Sequence, residues 1–316
     1  MKKASKIILR TVFSLSIVVL VYAYLCVIFM PKDLSDRGSG RYYRTMAINY
    51  EDRNSLDVIM YGNSDLSSAI IPLQLYKDTG ITSFMNWNDQ ETTKSIKKLV
   101  KNNLKKQKPK VIILETDCFY YKNSLDAVSY KYTNPLLFPV SYHTRWKELE
   151  FKDFVSLNKF KKDELKGHFF SKEVYDCKNT DYMKDSKKVE PMQKSVIKDI
   201  KAIKKMCDKK KIKLLFVEAP SPSSWNMKRH NGVQKLADEL KIPFIDFNVE
   251  LENYELDFAN DFRDDGNHLN FYGATKVTSY LGDYFKNNYE IKDKRGNKKY
   301  QSWDSIVERY NEIYGI

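Results

Sequence analysis

Two separated stretches of the chain carry residue types from which a hydrolytic site could be built. Ser64 lies in "DVIMYGNSDLSSAIIP", which runs from Asp57 to Pro72 and sets an apolar run of strand length directly against Gly62-Asn63-Ser64. His268 lies in "DFRDDGNHLNFYGA", ahead of the last long helical pattern, with Asp265 three residues upstream. A serine hydroxyl is a weak nucleophile until a base takes its proton, and a histidine serves as base when a carboxylate fixes its tautomer and leaves the other ring nitrogen free. Ser64, His268 and Asp265 could supply those three roles. Each also has a plainer reading. Ser64 could cap a helix starting near Asp65, because a serine hydroxyl there satisfies an orphan amide. His268 could cap the final helix with Asp265 as an ordinary turn residue.

The other histidines are weaker candidates. His143 falls among aromatic residues and His168 among lysines, and both read as surface or packing residues. His230, in "WNMKRHNGVQ", follows a strand end, and with Trp225 of the same stretch it is a candidate for substrate contact. The four cysteines, Cys26, Cys118, Cys177 and Cys207, show no spacing that suggests a metal site or a disulfide framework, and they read as small buried hydrophobes. No metal set and no cofactor motif is expected.

The elements that must position these residues alternate. "LDVIMYG" reads as a strand covered on both faces, followed by a helix around Leu73 to Asp78 and the strand "ITSFM". The helix "DQETTKSIKKLVKNNLKKQ" and the strand "KVIILET" come next. The rhythm resumes with "PMQKSVIKDIKAIKKMCDKKK", the strand "KLLFVEAP", a helix through "NGVQKLADEL", the strand "PFIDF" and the helix "FYGATKVTSYLGDYFKNN". Such alternation predicts an α/β fold, a parallel sheet with helices on both faces. In an open parallel sheet ligands bind at the carboxyl ends of the strands, and Ser64 stands just after the first. Residues 121–189 break the rhythm with aromatics, prolines and lysines, and are expected to form an insertion that could roof a site. The tail "QSWDSIVERYNEIYGI" spaces Trp303, Ile306, Val307 and Tyr310 helically and is expected to pack on the domain or the membrane surface.

The compartment follows from the first segment. Ile7 to Met30 is almost wholly apolar and long enough to cross a bilayer. Lys2, Lys3, Lys6 and Arg10 precede or open it, which by the positive-inside rule keeps the N-terminus cytoplasmic and the rest of the chain outside. A cleaved signal peptide is the competing reading, and no small-residue cleavage site follows. The expected divisions are therefore 1–30 for the cytoplasmic tip and anchor, 31–55 for a linker, 56–290 for the α/β domain and 291–316 for the tail. The 54 Lys and Arg against 41 acidic residues leave a net charge of +13, spread along helix faces. That pattern suits an anionic lipid or wall polymer, and no nucleic-acid-binding motif accompanies it.

Taken together, Gly62-Asn63-Ser64-Asp65-Leu66 and Asp265-Gly-Asn-His268 resemble the SGNH/GDSL hydrolase family. "HLNFYGATKVTSYLGDYF" looks like its membrane-anchored, DltD-like members of Gram-positive bacteria. The resemblance implies a flavodoxin-like three-layer fold, a Ser-His-Asp mechanism, and an oxyanion hole made by the serine amide, a glycine and an asparagine. This chain departs at the last two: Asn86 and Asn88 surround the glycine position, and Glu115 to Asp117 replace the block that carries the asparagine. An ionised Asp117 cannot donate a hydrogen bond, so it is kept as a substrate-contact candidate, with Ser64, Asn86 and Asn88 as oxyanion donors. DltD-like proteins are associated with D-alanylation of teichoic acid beside a membrane-bound O-acyltransferase. The implied function is thus an extracellular, single-pass esterase or acyltransferase acting on acyl groups of a teichoic acid or surface polysaccharide. The alternative is a non-catalytic glycan-binding or scaffold partner of such an acyltransferase.

Overall fold

The computed structural model describes residues 2–316, apart from 35, 37, 38, 124–127 and 250. In chain order the helices are α1 (Lys2–Phe29), α2 (Ser39–Met46), α3 (Ser64–Ala69), α4 (Pro72–Thr79), α5 (Thr93–Asn103), α6 (Val128–Thr133) and α7 (Phe138–Ser141). They continue with α8 (Phe151–Phe154), α9 (Lys194–Lys209), α10 (Met227–Leu240), α11 (Phe271–Asn288), α12 (Gln301–Glu308) and α13 (Tyr310–Tyr314). Five strands, β1 (Val58–Gly62), β2 (Ser83–Trp87), β3 (Val111–Glu115), β4 (Lys213–Glu218) and β5 (Phe244–Asp246), form one sheet in the order β2-β1-β3-β4-β5. Every pairing is parallel, with Val58 opposite both Ser83 and Val111. This is the expected flavodoxin-like order.

The strands are apolar throughout because both faces are covered. Alternate residues point to opposite sides. Val58, Met60, Ile113, Leu215 and Val217 pack with Leu66 of α3, Leu75 of α4 and Val277, Leu281 and Phe285 of α11. The intervening Ile59, Ile112 and Phe216 are equally buried, as are Ile96 and Val100 of α5 and Ile200 and Ile203 of α9. The tail packs on this unit: Trp303 of α12 lies against Tyr76 of α4, ring centroids 5.1 Å apart. All four cysteines are free and buried.

The chain divides into two compact units, residues 44–127 with 162–316, which hold the sheet, and residues 1–43 with 128–161. The stretch 121–189, expected as one insertion, is therefore shared between them. In the smaller unit α1 provides a 27-residue segment, Lys3–Phe29, long and apolar enough to cross a bilayer. The last carbonyls of a helix have no partner of their own. Here Arg145 supplies one: its guanidinium donates to the carbonyls of Ile28, Phe29 and Met30 at 3.3, 2.8 and 2.9 Å.

Candidate active site

The strand order reverses between β1 and β3, and the site forms at that switch point. Gly62 ends β1 against Glu115, which ends β3; a Cβ on Gly62 would stand 2.7 Å from that of Glu115, so only glycine fits. The close approach lets the Glu115 carboxylate accept from the backbone amides of Asn63 and, at 2.8 Å, Leu66. Burial pushes its proton affinity well up, and the neighbouring Asp65 and Asp117 add to the effect. The turn after β1 is thus gripped from below by a buried carboxyl group.

Asn63, not Ser64, caps α3: its side-chain oxygen accepts from Asp65 N at 2.8 Å. Ser64 occupies the first helical position and is released from the capping duty that was its plainer reading. Among the described residues nothing accepts its amide hydrogen and no partner engages its hydroxyl, and the residue is half-buried. The Ser64 N–H is accordingly an oxyanion candidate whose hydrogen is uncommitted among the described residues.

His268 begins β7 (His268–Leu269), which pairs antiparallel with β6 (Phe262–Arg263). Its Nδ1 lies 2.8 Å from Asp264 Oδ2. Asp265, expected in that role, does not hold it. Asp264 and Asp265 have φ of 44° and 58° and Gly266 has 79°, a left-handed run that turns Asp264 back under the imidazole and directs Asp265 to the Tyr175 hydroxyl. Arg263 donates to the same Asp264 oxygen at 2.6 Å and to Ser68 Oγ at 3.0 Å, tying the base-bearing turn to α3. The helix cap expected as the plainer role of His268 is provided by Asn270 instead. Burial lowers the proton affinity of His268, and the Arg263 charge helps; the Asp264 charge opposes both. The net shift favours the neutral imidazole, the state a general base needs.

Nε2, the other ring nitrogen, lies 3.2 Å from Oδ1 of Asp65, the residue after Ser64. The pair is close but poorly aligned, and Nε2 makes no hydrogen bond among the described residues. Burial, with Asp117 nearby, raises the proton affinity of Asp65 well above the usual carboxylate range.

The remaining candidates separate. Asn86 is buried in β2 and donates its side-chain amide to the Thr45 carbonyl at 3.2 Å, so it does not offer that hydrogen to an oxyanion. Asn88 follows the end of β2 and donates its backbone N–H to the Gly62 carbonyl at 3.4 Å, which keeps it beside the serine turn. Asp117 is fully buried and accepts from Asn63 Nδ2 at 3.0 Å and Arg229 at 2.9 Å. It braces the cap and is not presented to a substrate. Trp225 and His230 converge on Asp246 at the end of β5, with Nε1 and Nδ1 at 2.9 and 2.7 Å from Oδ2. Trp225 is buried there, so its expected contact with substrate gives way to a structural hydrogen bond.

Sequence reasoning missed Asp264, Arg263, Asp65 and Glu115. The run Arg263-Asp264-Asp265 did offer two carboxylates near His268, but nothing in it fixes which one turns inward. Among the described residues no group of three or more histidines, cysteines and carboxylates is placed to hold a metal.

No protein-family model matches the chain, and no curated protein is similar to it. Solved structures similar to it include a lipase/acylhydrolase from Enterococcus faecalis, at 10% identity and a TM-score of 0.41, covering 75% of this chain and 99% of that one. A GDSL-like lipase from Bacteroides thetaiotaomicron matches at 11% and 0.38, covering 78% and 96%. A psychrotrophic esterase from Pseudoalteromonas matches at 11% and 0.38, covering 73% and 97%.

Proposed function

We propose that this chain is a membrane-anchored serine esterase or O-acyltransferase acting on ester-linked acetyl or D-alanyl groups of a cell-surface polysaccharide or teichoic acid. The observation that carries the reading is the placement of a carboxylate-held His268 beside the start of α3, where Ser64 is free of the capping role. Ser64 Oγ attacks the ester carbonyl as His268 Nε2 takes its proton, and Asp264 stabilises the imidazolium through Nδ1–H. The tetrahedral oxyanion is received by the Ser64 N–H. His268 then returns the proton to the leaving alkoxide, which departs and leaves an acyl-serine. Water resolves that acyl group in an esterase, and an acceptor hydroxyl resolves it in a transferase.

Lys2, Lys3, Lys6 and Arg10 support an orientation with the N-terminus in the cytoplasm and the site outside, where the net positive charge faces anionic polymers. A membrane-bound O-acyltransferase is the partner that would supply or accept the acyl group.

One observation favours the second reading, a non-catalytic glycan-binding or scaffold protein: Nε2 faces Asp65, and among the described residues no hydrogen bond joins Ser64 and His268. A fluorophosphonate probe separates the two. Stoichiometric labelling that is lost in Ser64→Ala and strongly reduced in His268→Ala is expected of the enzyme. An unlabelled, folded wild-type protein that still binds the polymer would establish the scaffold.

A further inference from the structure

The smaller unit exposes an unusual quantity of large apolar surface outside α1. Leu136, Val140, Trp146, Phe151, Phe154 and Leu157 are 66, 63, 63, 75, 45 and 53% exposed, within 22 consecutive residues. Single exposed apolar side chains are ordinary, whereas a dense group of them marks a surface that is covered in use.

All but Leu157, which follows α8, sit on short elements that touch α1: the 3₁₀ turn Pro135–Leu137, α7, the 3₁₀ turn His143–Lys147 and α8. Two tyrosines of α1 fix the height of this contact. Tyr22 donates its hydroxyl to the Leu136 carbonyl at 2.6 Å, and Tyr24 donates to the Phe154 carbonyl at 3.2 Å. Tyr22 precedes Phe29 by seven residues, about 10 Å along the helix axis. The short elements therefore lie against the last two turns of the apolar helix, and their exposed apolar side chains adjoin the exposed apolar surface of α1.

Part of their charge is turned inward, while Lys147, Glu148 and Glu150 stay exposed. Arg145, 1% exposed, pairs with Asp153 at 2.6 Å and Asp36 at 3.1 Å, and Lys152 reaches Asp33 at 2.8 Å and Asp36 at 3.1 Å. A buried ion network holds the unit together while apolar side chains face outward beside the exposed Lys147, Glu148 and Glu150, a mixture suited to the polar–apolar boundary of a bilayer. Trp146, with the Lys147 ammonium 5.6 Å from its ring, has the amphipathic character of residues at the bilayer interface.

We infer that residues 135–157 form a collar that beds in the outer interfacial layer of the bilayer around the end of α1. The occupant of this apolar face is lipid, because it is continuous with the surface that α1 presents to the acyl chains. The inference rests on α1 being the membrane span. The collar adds a lateral foot to a single helix, so that the unit bearing it is seated on the membrane and not merely tethered to it.

The test uses the full-length protein reconstituted in vesicles of phosphatidylcholine and phosphatidylglycerol, with acyl chains brominated either near the glycerol end or near mid-chain. The other three tryptophans, Trp87, Trp225 and Trp303, are buried in the larger unit. Trp146 emission should be blue-shifted and quenched more by the glycerol-end bromines, and the quenched component should vanish in Trp146→Phe. A Leu15→Trp probe in that background reports α1 separately. Strong mid-chain quenching of this probe with no quenching of Trp146 would overturn the collar, leave the anchor intact and assign the face to a protein partner. Absence of quenching at both positions would overturn the anchor itself, and the collar with it.

Discussion

His268 is held by Asp264, four residues before it, at 2.8 Å, while Asp265 lies beside Tyr175. The carboxylate that orients the base is thus the one inside the left-handed turn, and the two adjacent aspartates should behave oppositely on substitution. Asp264→Asn keeps the shape but offers Nδ1 the wrong partner, and should lower kcat on an activated acetyl ester by about 10³ to 10⁴-fold. Asp265→Asn should stay within a few-fold of wild type. Steady-state kinetics of the two variants decides the assignment, and the reverse ranking would return the role to Asp265.

The pH profile follows from the lowered proton affinity of His268, caused first by burial and then by Arg263. The base is active when neutral, so kcat/KM should rise with pH through an apparent value below about 6.5, the ordinary histidine value, and be level at neutral pH. Arg263→Gln removes the neighbouring positive charge and should move that limb upward. A limb at or above the ordinary value in the wild type would contradict the assignment.

Stability should carry its own pH signature through His168. This imidazole is buried with Nδ1 2.9 Å from the Ser67 carbonyl, and burial lowers its value to about 4. The folded state then binds fewer protons than the unfolded chain between about 6.5 and 4, so the contribution is complete above that window and is lost as pH falls through it. The loss is about 3 kcal/mol at its largest. Denaturant melts from pH 7 to 4 should show it, and His168→Gln should flatten the slope.

Gly62→Ala should destabilise the larger unit by about 1 to 3 kcal/mol, the usual cost of overpacking, since its Cβ would meet Glu115. Because the two positions share one space, the double variant with Glu115→Ala should depart from additivity. A thermal-melt cycle measures the coupling, and additive single effects would place the clash elsewhere.

The strands were legible because each is a short apolar run bounded by turn residues. The helices were legible because "KSVIKDIKAIKK" and its like repeat with helical spacing. Ser64 and His268 could be singled out by type and by their places relative to strand and helix. Which aspartate serves His268 depends on three successive positive φ angles, which no residue pattern in "RDDGNH" specifies. Glu115 looked like a missing oxyanion block. Its grip on the amides of Asn63 and Leu66 exists only once β1 and β3 lie side by side. The collar was illegible for a related reason: an apolar residue in a sequence reads the same whether it ends in a core or on an exposed face.

The hydrogen bond from Arg263 to Ser68 spans 195 residues. Synthesis is vectorial, so α3 and its serine emerge long before the turn that carries the base. Through most of that interval Ser64 lacks the His268 imidazole that the proposed mechanism requires, and a chain interrupted before residue 268 never acquires it. Activity on this account appears in one step, late, when the β6–β7 turn docks onto α3. A nascent or truncated chain would then be inert toward esters under the proposed mechanism.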